Sequence, residues 1–336
     1  MRRVIDLFNH YLPPKFYEKI NELGGKAHMM TRASRMPAMS DIQYRLKLME
    51  RYEGYSQIPC IVSPNVEQLV APEHTAQLAR TANEEFYKLC QKYPDKFPSF
   101  VAVLPLDDMD KAMAEAEYAV KELGAAGVQI FTNQYGNPID SPEFFQLYKE
   151  LDQLGTALWI HPSRTVREPY YKNETLSRYE LWWTMMWPIE TTMAVSRLVY
   201  AGLYERFPDL KVIIHHAGGM IPMMEGRLEN GLKLYGTRTA PELKDMVESP
   251  VKDKRQIDYF RKFYADCATF GSQAAIECAI NFYGTGHMVF ASDMPFDPED
   301  GAGYIQRTLR DVENLPIPQE QKEDILYRNA VRILGL

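Results

Sequence analysis

The chain has 336 residues, 46% hydrophobic and 25% charged, with a formal net charge of -7 at pH 7. That composition supports a large buried core and excludes a disordered or fibrous protein. The acidic balance, with no sustained block of lysine or arginine, gives a nucleic-acid partner no electrostatic footing, so a small molecule is the expected partner.

Val4 and Ile5 open a β-branched run that passes into Asp6 and His10, and Pro13 prevents a central strand from continuing. A polar, methionine-bearing segment over 14–39 follows and reads as a long connection. Residues 40–51 read as a helix capped by Ser40 or Asp41, and 58–62 as the second strand. Leu78, Ala82, Phe86 and Leu89 put one apolar face on a helix over 75–93. The third strand spans 100–104, a charged helix 109–123 ends at Gly124, and 128–131 is the fourth strand. Ser141 and Pro142 open the next helix, ahead of the fifth strand at 157–160. An insertion rich in tryptophan and tyrosine then leads to a helix over 191–207 and the sixth strand, 211–214. The seventh strand is 263–267, a helix covers 272–282, the eighth strand is 288–291, and 319–336 reads as a closing helix.

Strands alternating with helices imply a parallel sheet covered by helices. Eight such strands predict an α/β fold, a (β/α)8 TIM barrel of one domain over 1–336, with insertions after strands 1, 5 and 6. Active sites in that fold sit at the C-terminal ends of the strands, where His10, His161, His216, Asp266 and Asp293 share one mouth. The reading finds no apolar stretch of membrane-spanning length and no leader segment, and expects no membrane partner. Cys60, Cys90, Cys267 and Cys278, widely spaced and without a CxxC pair, read as free thiols of a cytoplasmic protein.

Imidazoles and a carboxylate from different strands suit a divalent ion, zinc above all, with His10, His161 and Asp293 as three ligands around an open position. Adjacent strand residues point to opposite faces, so only one of His215 and His216 meets the mouth. His216, beside Ala217-Gly218-Gly219, is taken as the proton carrier, and His215 is given a packing role. Asp6 is read as a brace for the site. Arg45, Arg164 and Arg167 are candidates to hold an anionic substrate, Arg45 and Arg164 foremost. Trp182, Trp183 and Trp187 either cover the mouth or bury a subunit contact.

These strand ends, with Tyr93-Pro94-Asp95-Lys96-Phe97, Ile160-His161-Pro162, His216-Ala217-Gly218-Gly219 and Ser292-Asp293-Met294-Pro295-Phe296, resemble the amidohydrolase superfamily. The likeness is to the branch of aminocarboxymuconate semialdehyde decarboxylase and the hydroxybenzoate decarboxylases. It implies metal ligands at His161 and Asp293, a catalytic histidine at His216, and a second ligand of the first-strand His-x-His motif at His10. Phe8 stands where the motif's first histidine belongs. A phenyl ring cannot coordinate a metal, so the site works with three ligands, binds metal weakly, or has lost it.

The expectation is a metal-dependent decarboxylase, a carbon–carbon lyase, of a small unsaturated or aromatic carboxylic acid. His216 and Asp293 would be its catalytic residues, zinc or manganese its cofactor, and a homodimer its assembly. The alternatives are a metal-dependent hydrolase or hydratase on the same site, and a metal-free descendant that binds a small ligand.

Overall fold

A computed structural model describes residues 3–25 and 35–336, so 26–34 of the polar segment after the first strand lie outside the described residues. The strands are β1 (Val4–Asp6), β2 (Tyr55–Gln57), β3 (Val101–Val103), β4 (Gly127–Phe131), β5 (Ala157–His161), β6 (Lys211–Ile214), β7 (Tyr264–Asp266) and β8 (Met288–Val289). β1 pairs with β2, and β3 to β8 pair in chain order, all in parallel. Val101 N donates to Pro59 O (3.0 Å), joining β2 to β3, and Leu7 N donates to Phe290 O (3.0 Å), joining β8 to β1. The ring therefore closes, and the expected (β/α)8 barrel is the fold observed.

Side-chain parity sorts the core into two layers. Ile5, Val101, Ala157, Trp159, Ile213 and Val289 fill the barrel, while Leu158, Ile160, Val212, Ile214 and Ala265 pack outward beneath the helices. Trp159 crosses the interior and donates its Nε1–H to Leu7 O at 2.8 Å. Ala330 and Ile333 belong to the same inner cluster, so the C-terminal segment packs against the barrel interior.

The covering helices are α1 (Pro14–Glu22), α2 (Ile42–Met49), α3 (Thr75–Lys92), α4 (Met109–Lys121), α5 (Pro142–Leu154), α6 (Met186–Tyr200), α7 (Gln273–Tyr283) and α8 (Ala302–Asn314). The start of the segment expected to be a long connection is instead helical, at 14–22. Proline at its first turn and buried Phe16 and Ile20 are what make it helical. The Asp41 carboxylate caps α2, accepting from Gln43 N (2.9 Å) and Tyr44 N (3.1 Å).

The second strand lies earlier than expected, at 55–57 rather than 58–62. The later residues still follow β1, with Ile58 N donating to Asp6 O and a bridge between His10 and Cys60, but they bend into the mouth. The closing helix is also not continuous: a wide π turn over Asp324–Arg328 separates Gln319–Glu323 from Asn329–Leu334. Phe290 N takes the Ile325 carbonyl at 2.9 Å, tying this turn to the end of β8.

Candidate functional site

The strand parity that fills the barrel also aims its donors. Ala157 and Trp159 face inward, so His161 does too; Ile213 faces inward, so His215 follows; Val289 and Ala291 do the same for Asp293. His10 sits beyond β1, held by its backbone N–H on Met294 O at 2.9 Å. His10, His161, His215 and Asp293 are all buried.

Each of the three imidazoles is fixed through Nδ1. His10 Nδ1 lies 3.0 Å from Ile61 O and His161 Nδ1 lies 2.7 Å from Pro162 O, and carbonyls only accept, so both rings carry their proton there. His215 Nδ1 pairs with the Asp266 carboxylate. The Nε2 lone pairs of all three therefore turn toward one point, and their ligand atoms lie within 4.8 Å of one another. Asp293 Oδ1 approaches His10 Nε2 to 3.0 Å and His215 Nε2 to 3.3 Å. These pairs are close but not aligned for hydrogen bonding, and His10 Nε2 and His215 Nε2 are buried without a hydrogen-bond partner. Buried polar atoms without partners are costly, and a divalent cation is the group that would satisfy nitrogen and carboxylate donors together. The residues present fit a metal ion.

The electrostatics agree at His161. Burial, and the neighbouring His10 and His215, hold His161 well below the ordinary imidazole value, keeping it a neutral ligand. Burial works against the charged forms of Asp293 and His215 as well, but their attraction prevails. His215, with Asp266 on its other side, is raised to about 9, and Asp293 falls well below the usual carboxylate range.

The packing role expected for His215 is therefore corrected. Facing residues do alternate, but His215 is the inward one. His216 reaches the same mouth because the chain leaves extended geometry there, with φ of 55° at both His216 and Ala217. The two rings stack at 3.8 Å. Gly219 is required by this turn: its φ is 67°, and a Cβ would lie 2.4 Å from Pro188 O. The signal that could have identified His215 was the inward parity of Ile213 two residues earlier.

Phe8 is buried against the site, its ring stacked on His215 with centroids 4.1 Å apart and planes 17° apart. Asp6 braces the strand ends, accepting from Tyr55 Oη at 2.5 Å, from the Ser292 hydroxyl, and from Phe8 N at 3.2 Å. Asp266 accepts from Ala217 N at 3.0 Å as well as from His215, so it holds the histidine turn in place.

The arginines fare differently. Arg45 is wholly buried behind the mouth, donating to Gln57 Oε1 (2.8 Å), His10 O (2.7 Å), Ala38 O (2.9 Å) and Asn9 Oδ1 (2.6 Å), so its guanidinium is committed to the protein. Arg164 is bound by Glu190 at 2.6 Å and by the Glu168 carbonyl at 3.0 Å. Arg167 is exposed. None of the three lines the cavity above the histidines.

That cavity, of about 620 Å³, has His216 and Asp293 in its lining, with apolar and aromatic side chains around them. Trp183 and Trp187 take part in its wall, and Trp187 lies edge-on to His161 at 5.5 Å. Burial and a neighbouring carboxylate pull in opposite senses on His216: burial and His215 lower its pKa while Asp293, 3.6 Å away, raises it, with the net shift downward.

Comparison with known proteins places this site in context. The chain is 26% identical to 2-amino-3-carboxymuconate-6-semialdehyde decarboxylase of Dictyostelium discoideum, over 99% of this chain and 91% of that one. It is 27% identical to gamma-resorcylate decarboxylase of Rhodococcus jostii, over 88% and 89% of the two chains. Among solved structures it superposes on dihydroxybenzoic acid decarboxylase of Polaromonas, crystallised with manganese and 2-nitroresorcinol. The TM-score is 0.80 at 23% identity, covering 100% of this chain and 98% of that one. The amidohydrolase family model matches residues 62–336, a span that holds His161, His215, His216, Asp266 and Asp293. The chain belongs to the amidohydrolase family.

Proposed function

We propose that this protein is a metal-dependent decarboxylase, a carbon–carbon lyase acting on small aromatic or unsaturated carboxylic acids. The observation that carries the reading is the convergence of His10, His161, His215 and Asp293 beneath a cavity into which His216 projects. The decarboxylations performed by the relatives support it. His10, His161, His215 and Asp293 would hold the ion, and His215 supplies the donor that Phe8 lacks. Three imidazoles and a carboxylate favour zinc; manganese, present in the Polaromonas structure, is the alternative. A divalent ion in such a site supplies Lewis acidity that polarises substrate oxygens.

The remaining work falls to the chain's own groups. The cavity wall strips water from the substrate ring and presents its carboxylate-bearing carbon to His216. His216 holds the proton that replaces carbon dioxide. The bond between ring carbon and carboxylate breaks, its electron pair ends in a new C–H bond with that proton, carbon dioxide leaves, and solvent reprotonates the imidazole.

Turnover in deuterium oxide tests this step. One deuterium should appear per product molecule at the carbon that bore the carboxylate, and His216→Asn should lower kcat by roughly 10²–10⁴-fold while retaining metal. Equal turnover by the variant would remove His216 from the role.

A second reading has one observation in its favour. His215, drawn between Asp266 and Asp293 and raised to about 9, could stand as an imidazolium where the ion would be, in a metal-free ligand-binding protein. Metal content separates the two.

We place the protein in the cytoplasm as a homodimer. Four free cysteines and the lack of a helix long and apolar enough to cross a membrane among the described residues support the compartment. Exposed Tyr170, Tyr171, Tyr179 and Met185 support a subunit contact beside the mouth. Monomeric sedimentation would remove the dimer.

A further inference from the structure

The cavity above His216 is larger and more apolar than a single-ring acid requires. Its volume of about 620 Å³ falls in the range of roughly 300–1,000 Å³ that holds drug-sized ligands. His216 and Asp293 are the histidine and the carboxylate of its lining, whose other polar groups, on Trp183, Thr184, Thr269, Cys278 and Tyr304, are neutral. His216 and Asp293 are buried or nearly so, whereas Met223, among the lining side chains, is 68% exposed and Phe270 is 38% exposed at the rim. Met220 and Phe296 also line it, the Phe296 ring lying 5.5 Å from that of His10.

Phe270 is one of four non-glycine residues in this wall with a left-handed backbone, beside His216, Ala217 and Asp293. Its φ is 59°, a left-handed conformation that costs a bulky residue of order 1–3 kcal/mol and persists only where the surroundings impose it. The ring lines the cavity, stacks on Tyr304 at 4.6 Å and 28° and meets His216 edge-on at 5.6 Å. A strained aromatic side chain kept partly exposed against the proton carrier is placed for a ligand rather than for the core.

We infer that the substrate carries one carboxylate at its His216 end and, on the far side of its ring, a bulky uncharged apolar group such as an alkyl chain of several carbons or a second ring. Phe270 and Tyr304 form the wall that recognises that group. The inference rests on the decarboxylase reading only for which end of the ligand carries the acid. A second carboxylate at the far end would lie against Phe270, Tyr304 and Met223, with no cation from the described residues lining the cavity to meet it.

The test is equilibrium binding to the metal-loaded protein, followed by tryptophan fluorescence, since Trp183 and Trp187 line the cavity. The probes are 2-hydroxybenzoate, its methyl, butyl and hexyl derivatives substituted opposite the carboxylate, and the matching dicarboxylate. Each buried methylene should tighten Kd about fourfold (about 0.8 kcal/mol) until the cavity is filled. The dicarboxylate should bind at least tenfold more weakly than the butyl acid. Phe270→Ala should flatten the alkyl gradient, and Met223→Lys, at an exposed position, should raise affinity for the dicarboxylate. A flat alkyl series, or tighter binding of the dicarboxylate by the parent protein, overturns the inference. Carbon dioxide released from 2-hydroxybenzoate alongside a flat series would sink this inference and leave the decarboxylase reading standing. A steep gradient with no carbon dioxide from any member would do the reverse.

Discussion

At the scale of single residues, the proposed metal site turns on Phe8 and His215. A phenyl ring removes one donor from the first strand, and the imidazole stacked upon it contributes one from the sixth. Asp266 completes the arrangement by fixing His215 through Nδ1, as outer carboxylates do for metal-bound histidines. Calorimetric zinc titration of stripped protein should therefore show His215→Ala binding at least 100-fold more weakly than the parent, and Asp266→Asn weaker by roughly 10–100-fold. Unchanged affinity in His215→Ala would return the site to three ligands. Sequence made His10, His161, His216 and Asp293 legible because each ends a recognisable strand beside a turn-forming residue. It misassigned His215 because alternation says that one neighbour faces in but not which, and the departure of His216 from extended backbone is a property of the folded turn.

At the scale of elements, Arg45 shows how a charged residue can be misread. A guanidinium pairs bidentately with a carboxylate, which makes it a candidate to hold an anionic substrate, yet its four donor contacts join α2 to the residues around His10 and β2. Burial lowers its pKa to about 10, so it remains charged at neutral pH. Arg45→Met should cost about 3–5 kcal/mol in reversible urea unfolding, because the buried acceptors around Asn9, His10, Ala38 and Gln57 lose their donor. A loss below about 1 kcal/mol would contradict the bracing role. Alternation of apolar runs made the eight strands legible, but element boundaries followed contacts that periodicity does not contain. Helix α1 depends on burying Phe16 and Ile20, and the break in the closing helix lies where Ile325 O meets Phe290 N.

At the scale of the whole molecule, one closed barrel turns residues separated by hundreds of positions into a single donor set. His10 follows the first strand and Asp293 the eighth, and the hydrogen bonds that close β8 onto β1, including Asp293 N to Phe8 O at 2.9 Å, bring them together. The long connections after β1, β5 and β6 were expected, and the one after β5 supplies Trp183 to the cavity wall. What composition and periodicity could not convey is the cavity's shape, which arises from side chains contributed after β5, β6, β7 and β8.

The most direct measurement of the central claim is carbon dioxide release from ¹³C-carboxyl-labelled aromatic acids by protein stripped of metal and then restored with one equivalent of zinc or manganese. Labelled carbon dioxide is expected only from the restored protein, saturating at one ion per chain. Equal release by the stripped protein, or no stoichiometric uptake of either ion, would contradict it.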